Sequence, residues 1–506
     1  MLTASKLAPG RGHRVRLGAP VLGGGEVRFS WEVTPRTDLY HRTEFRVSFP
    51  RSVDVTAVPP ALWWRIALIC LHPHWALLRP CRVELPIRLG AGEREFWMRL
   101  IEAAIVNLVE YGSVAPPGRA VDLVESGPAL PPVAIEIASE RVAAAFSGGK
   151  DSLAQSALLA ELTDRPLLVT TTDPVPWAND HLGAARQRTL AEISRRLPVD
   201  LVEVHSDFRS CWDNGFGARD GGTITVNELS DVLLYQAVTV AVAAASGISR
   251  AFLASEADLQ YNTSCPGGIL QHSHFASSMV TLASLDSLLG QFGVHLGSVT
   301  CALHTPQVVE LLWRRYPELI DLQFSCWLGA GGAQACSACG QCLEVALLAL
   351  ANGLSPSRVG IDPVVVMCSK AGWRPDQPGP HPLHETRVAR HHAWRALEAV
   401  PVERFVEILD EDPRARGDPR LGEAIAAYRG FCERAAPLDV PPAPGYIEGF
   451  LELIDSRLRG PLRAIIDDYF EPAPVPEFAA TVARSRALTA RISAPLAPRA
   501  RPARVG

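Results

Sequence analysis

Lysine is nearly missing from this sequence: Lys6, Lys150 and Lys370 are the only three among 49 basic residues, and arginine supplies the rest. That bias fits GC-rich coding and says little about function. An excess of positive charge is also missing. The formal net charge of −5 argues against a dedicated nucleic-acid binder with a surface basic throughout, while leaving room for a local basic groove. Long apolar runs are lacking as well. The longest, residues 232–245, carries Tyr235, Gln236 and Thr239 and is shorter than the roughly 20 residues a membrane span needs. Residues 61–78 are interrupted by Arg65, His72, Pro73 and His74. Residues 1–25 hold no apolar core of the kind a secretory signal requires. These absences predict a cytoplasmic chain without a membrane partner. Apolar residues nevertheless make up 47% of the sequence, enough to build a large core and to exclude global disorder.

The chain is long enough for about three domains, and its punctuation suggests where they divide. Residues 1–138 read as an N-terminal α+β domain. Alternating stretches at 26–33 and 44–49 suit strands, residues 60–71 and 93–111 suit helices, and Pro116-Pro117-Gly118 and Pro131-Pro132 mark the exit. From 139 to 353 strand and helix alternate. Strands are expected over 141–146, 166–172, 200–205 and 250–255, and helices over 151–162, 180–196 and 227–246. This rhythm predicts an α/β fold, a doubly wound parallel sheet covered by helices on both faces. Residues 354–470 read as a helical C-terminal region. Residues 471–506 read as a flexible tail rich in Ala, Pro and Arg, with no acidic residue after Glu477.

The motif that carries chemistry is Ser147-Gly148-Gly149-Lys150-Asp151-Ser152, between an apolar strand and a helix. Two glycines let the backbone approach an anion closely, and the helix start aims unpaired N–H groups at it. Ser147 and Ser152 offer hydroxyls and Lys150 a positive charge. Asp151 suits helix capping or a magnesium ion better than direct contact with phosphate. The Walker-type loop is excluded, because it needs four residues between its glycines. The six residues resemble the SGGxDS signature of the PP-loop ATP pyrophosphatase superfamily. The resemblance implies an adenine nucleotide α-hydrolase-like fold, a loop that holds the β,γ-pyrophosphate of ATP, and attack by a substrate on the α-phosphorus. It also implies that Thr170, Thr171 and Thr172, ending the second strand, lie beside adenine or ribose.

Four of the eleven cysteines form a second motif: Cys326, Cys336, Cys339 and Cys342, spaced C-x9-C-x2-C-x2-C. Four thiolates at that reach fit tetrahedral zinc, with an iron–sulfur cluster as the other metal choice. Ser337, Ala338 and Gly340 permit the tight turn. Such a set downstream of SGGxDS resembles 7-cyano-7-deazaguanine synthases, which adenylate a carboxylate and resolve it with ammonia around a structural zinc. A strand-rich segment before the loop, Thr225-Val226-Asn227 opening a long apolar helix, and Ser255-Glu256 followed by Tyr261, Pro266-Gly267-Gly268 and His272 are closer to the UDP-MurNAc-L-alanyl-L-glutamate epimerases. Those enzymes adenylate a glutamate carboxylate and then invert its α-carbon.

Glu256 and Asp258 follow a strand end, where they can hold magnesium or act as a base. His272 and His274 can bind substrate or relay a proton. The expectation is therefore an enzyme using ATP, Mg2+ and Zn2+ to activate a small-molecule or peptidyl carboxylate as an acyl-adenylate. Amide- or nitrile-type ligation then follows, with epimerisation as the competing outcome. A tRNA-modifying role is a third reading, against which the acidic balance and the lack of an aromatic-basic stripe count. A homodimer is left open.

Overall fold

The computed structural model describes residues 12–90, 92–110, 121–173, 180–216, 226–260, 262–264, 270–272, 275–326, 335–369, 400–435 and 445–473. The first part supplies β1 (His13–Leu17), β2 (Val21–Gly23), β3 (Glu26–Thr34), β4 (Glu44–Ser48), α1 (Pro60–Trp75), β5 (Cys81–Leu85), α2 (Glu93–Glu110) and β6 (Val121–Glu125). The second supplies β7 (Ala143–Ala145), α3 (Lys150–Leu162), β8 (Leu167–Thr172), α4 (Asp180–Arg196), β9 (Asp200–Ser206), α5 (Val226–Ala245) and β10 (Arg250–Phe252). The hairpin β11 (Asn262–Ser264) with β12 (Leu270–His272), then α6 (Met279–Leu289), β13 (His295–Gly297), α7 (Thr305–Arg315) and α8 (Gly340–Ala351) follow. Beyond them come the helices α9 (Pro363–Ser369), α10 (Val402–Glu411), α11 (Leu421–Ala435), α12 (Glu448–Leu451) and α13 (Ser456–Asp467), with a short parallel pair of strands, Tyr446–Ile447 and Pro472–Ala473.

The protein is α/β, with a large and mostly parallel central sheet. β7 is three alanines flanked by Val142 and Phe146, all buried, as a strand covered on both faces requires. Its parallel neighbours are β8 and β10; β9 lies beyond β8 and β13 beyond β10. The local order β9-β8-β7-β10-β13 thus reverses direction beside β7. Such a reversal opens a crevice at the strands' carboxyl ends.

The boundary expected at 138 falls inside one continuous sheet. β4 pairs antiparallel with β9, Val47 opposite Ser206 and Ser48 opposite His205, and β3, β1, β5 and β6 extend the sheet beyond it. Asp207 secures this join: its carboxylate accepts from Arg46 N at 2.7 Å and from Arg42 Nη1 at 2.9 Å. Behind the sheet, α1 packs on α5.

α1 runs further than its pattern suggests, because Pro73 does not end it. Proline cannot donate to the carbonyl four residues back, which here is that of Ile69. His72 Nδ1 lies 3.0 Å from this carbonyl and 3.1 Å from that of Leu68, so the imidazole replaces the missing donor. The helix is buried all round, Arg65 included. Arg65 forms a bidentate pair with Glu93 at 2.7 and 2.6 Å. No helix among the described residues is long and apolar enough to cross a membrane.

Candidate functional site

The glycine-rich loop leaves β7 and turns directly into α3. Gly148 has φ +81°, and Gly149 is the N-cap of α3 without a side-chain cap. Gly149 has no side chain to cap the first turn, and hydroxyls meet two amides there instead, Ser147 Oγ accepting from Gly149 N and Ser325 Oγ from Lys150 N, both at 3.3 Å; a helix start of this kind is where anions bind. Ser152 closes the loop on itself: its Oγ donates to Gly149 O at 3.0 Å, accepts from Ser147 N at 3.2 Å and meets Ser147 Oγ at 3.1 Å. A strap from another part of the chain closes the other side. Phe324 N donates to Gly148 O at 2.9 Å, and Lys150 N donates to Ser325 Oγ at 3.3 Å.

A cleft of about 220 Å³ starts at this loop. Ala145, Phe146 and Ser147 form its floor at the end of β7, with Val169 and Thr171 of β8 on one side and Leu253 and Ala254 after β10 on the other. Val232 and Tyr235 of α5 and Arg186 of α4 complete the walls. Arg186 Nη1 donates to Thr171 O at 3.0 Å, which holds this cation in the cleft. Apolar walls with a few fixed polar groups are the usual make-up of a small-molecule pocket.

Lys150 stands elsewhere than its motif position suggests. Its side chain is buried and does not line the cleft. Nζ lies 2.8 Å from Asp151 Oδ2 and 3.9 Å from Glu344 Oε1. Burial works against its charge, but the carboxylates of Asp151, Glu344 and Glu256 outweigh burial and hold the ammonium above its ordinary range. Asp151 does line the cleft, and its Oδ1 is buried with no hydrogen-bond partner among the described residues. A hard carboxylate oxygen so placed fits a magnesium ion. Glu256, also buried, has its carboxyl raised well above the usual range, by burial first and then by Asp151, with Lys150 pulling the other way.

Asp258 has a structural task. Its Oδ1 lies 2.9 Å from His304 Nδ1 and its Oδ2 accepts from Thr305 N at 2.5 Å, tying it to the start of α7. Thr170 is buried beside Thr171, and its Oγ1 has no hydrogen-bond partner among the described residues. His272 lies in β12, where only its backbone is described; His274, Tyr261, Pro266, Gly267, Gly268 and Thr225 lie outside the described residues.

Beyond Tyr235 lies a charged network. Arg209 Nη2 pairs with Asp231 at 2.7 Å and bonds the Tyr235 hydroxyl, and Arg209 N donates to Asp173 at 3.2 Å. Burial pushes the Asp173 carboxyl up to about 7, although Arg209 pulls it down.

The four cysteines of the second motif converge, with their sulfurs all within 4.8 Å of one another. Cys336 and Cys342 sulfurs are 3.8 Å apart and those of Cys339 and Cys342 3.4 Å. A zinc–sulfur distance of about 2.3 Å gives a tetrahedral edge of about 3.8 Å, so the donor set fits such a metal. Ser337 at φ +54° makes the tight turn, and its Oγ accepts from Asp362 N at 2.9 Å. Hydrogen bonds with Cys326 and Cys339 and burial push the Cys342 thiol up; a bound cation reverses that preference.

Arg186, Tyr235, Glu344 and Ser325 carry no signal of their own in the sequence. Only the position of Ser325 beside Cys326, and of Glu344 two residues after Cys342, ties any of them to a recognisable motif. Comparison with protein-family models, with curated proteins and with solved structures found no match.

Proposed function

We propose that this chain is an ATP-dependent enzyme of the PP-loop type that splits ATP into AMP and pyrophosphate to activate a substrate carboxylate. The observation that carries this reading is the SGGxDS loop placed at the reversal point of the parallel sheet, with a cleft leading away from it. In this reading the β,γ-pyrophosphate sits on the loop and the start of α3. Adenosine lies along Phe146, Val169 and Leu253, near Thr171. A carboxylate oxygen attacks the α-phosphorus. The bond from that phosphorus to the bridging oxygen breaks, and its electron pair leaves with pyrophosphate. Arg186 is the cation among the described lining residues and supports charge on the α-phosphate or the incoming carboxylate. Magnesium bound with ATP would meet Asp151 and neutralise the departing pyrophosphate. Zinc on the four cysteines would shape the site without taking part in the chemistry.

The acyl-adenylate is then resolved by ligation to an amine, giving an amide or nitrile-type product; the cysteine spacing favours this outcome. Epimerisation is the second reading, favoured by Glu256. A buried carboxyl with a raised pKa near the loop suits proton abstraction next to an activated carbonyl. Nucleotide analysis tests the shared first step: AMP and pyrophosphate are expected, and ADP with orthophosphate would sink the reading. Turnover in heavy water separates the outcomes. A new C–N bond without α-deuterium means ligation, and ATP-dependent α-deuterium with unchanged connectivity means epimerisation.

A further inference from the structure

The strap over the glycine-rich loop is pinned at both ends. At its start, Thr189 Oγ1 donates to Leu322 O at 3.0 Å and Trp313 Nε1 donates to Gln323 Oε1 at 3.1 Å. At its end stands Cys326, whose sulfur accepts from Cys336 N at 3.2 Å inside the four-cysteine cluster. Between the pins lie Phe324 and Ser325, the two residues bonded to the loop. A methyl group built on Gly149 would stand 3.5 Å from Ser147 Oγ and 3.7 Å from Ser325 Oγ. The two hydroxyls thus lie within 3.7 Å of the same point at the loop. Among the described residues Ser325 accepts one hydrogen bond, from Lys150 N, which leaves its own proton to be directed at a ligand.

A second connection runs through α8. Cys339 is its N-cap and Cys342 lies in its first turn. Glu344 follows, 3.9 Å from Lys150 Nζ, with Gln341 Nε2 donating to its other oxygen at 2.8 Å. The cysteine cluster therefore reaches the loop by two routes, one to the backbone and hydroxyl side and one to the Lys150 ammonium.

We infer that Ser325 is a ligand of the anion held by the loop, and that the metal on Cys326, Cys336, Cys339 and Cys342 sets the strap that presents it. Metal loading and pyrophosphate binding are then coupled. This inference rests on the reading of the loop as a pyrophosphate seat. A hydrogen bond to a charged group contributes about 1.5–3 kcal/mol, which is roughly 10- to 150-fold in affinity.

The test is calorimetric titration of the full chain with inorganic pyrophosphate and magnesium, with zinc content measured on each sample. Ser325→Ala is expected to keep its zinc and its melting temperature and to bind pyrophosphate at least about 10-fold more weakly. Ser325→Thr, which keeps the hydroxyl, is expected to bind within a fewfold of the parent. The zinc-stripped parent is expected to lose at least as much affinity as Ser325→Ala, and the stripped Ser325→Ala variant little more, because both changes remove one interaction. Affinity of Ser325→Ala within twofold of the parent, with Ser147→Ala impaired, would overturn the inference and leave the loop reading standing. Unchanged affinity after zinc removal would overturn the coupling. A parent that binds neither pyrophosphate nor ATP would overturn the loop reading and the inference together.

Discussion

Gly148 and Gly149 are adjacent in sequence and make opposite demands on a side chain. At Gly148 the backbone sits at φ +81°, which costs a residue with a Cβ about 1–2 kcal/mol. The new methyl would also stand 3.3 Å from Thr189 Cγ2. Thr189 cannot readily yield, since it is fully buried and its hydroxyl is bonded to Leu322 O. Gly148→Ala should therefore lower stability by about 2–3 kcal/mol. Gly149 has φ −75° and ψ 165°, ordinary for any residue, and a methyl there makes only normal contacts. Gly149→Ala should change stability by less than about 1 kcal/mol, because the freedom lost by the unfolded chain offsets alanine's poorer fit at an N-cap. That same methyl fills the space between the Ser147 and Ser325 hydroxyls, so it should abolish AMP formation. Chemical denaturation and a pyrophosphate-release assay on the two variants read these effects separately. A Gly149→Ala protein that forms AMP at the parent rate would refute the assignment of the anion seat. Equal destabilisation of the two variants would refute the loop geometry.

Three further outcomes follow from other parts of the molecule. Freshly reduced protein should carry about one zinc per chain, and Cys339→Ser should lower both zinc content and melting temperature, since binding energy at such a site is also folding energy; metal analysis finding neither zinc nor iron would remove the site. Arg65→Met should cost about 3–5 kcal/mol in denaturation, because it strands the Glu93 carboxylate, whereas pairing it with Glu93→Leu should restore most of the loss. Burial holds His72 down to about 4 and His74 to about 3, below the ordinary value near 6.5. The unfolded chain therefore binds more protons, and their contribution is complete above about pH 6.5 and is lost as pH falls. Asp173 acts in the opposite sense between its unfolded value and about 7, so the measurement is the stability difference between parent and His74→Phe. That difference should shift against the parent by about 3 kcal/mol between pH 6.5 and 4, and a pH-independent difference would refute it.

The regular elements were legible because their signals are local. The apolar run 142–146, the helical spacing of 151–162 and the alternation at 26–33 each stand in the structure as a strand or a helix. The pattern stops α1 too early because Pro73 usually ends a helix, and the compensating bond from His72 depends on a side-chain geometry no pattern encodes. The pairing of β4 with β9 was illegible for another reason: it joins residues about 160 positions apart, and sequence spacing carries no register between distant strands. The site divides along the same line. The loop and the four cysteines announce themselves by spacing. Arg186 and Tyr235 reach the cleft, and Ser325 the loop beside it, from separate elements, and none of them carries a pattern. Lys150 shows the reverse case, a residue that the motif marks and the fold turns inward toward three carboxylates.

The antiparallel join between β4 and β9 has a mechanical consequence. A hinge needs a place where few bonds cross, and here a hydrogen-bonded ladder crosses instead, reinforced by Asp207 on Arg42 and Arg46. Swinging β1–β6 away as a rigid lid would have to break that ladder. A chain cut at that point would also leave β9 as a bare edge with unpaired N–H and C=O groups, the kind of edge that recruits other chains and precipitates. The strands before residue 138 are in this sense the cover of β9, and trimming the protein to its motif-bearing half would trade that cover for aggregation.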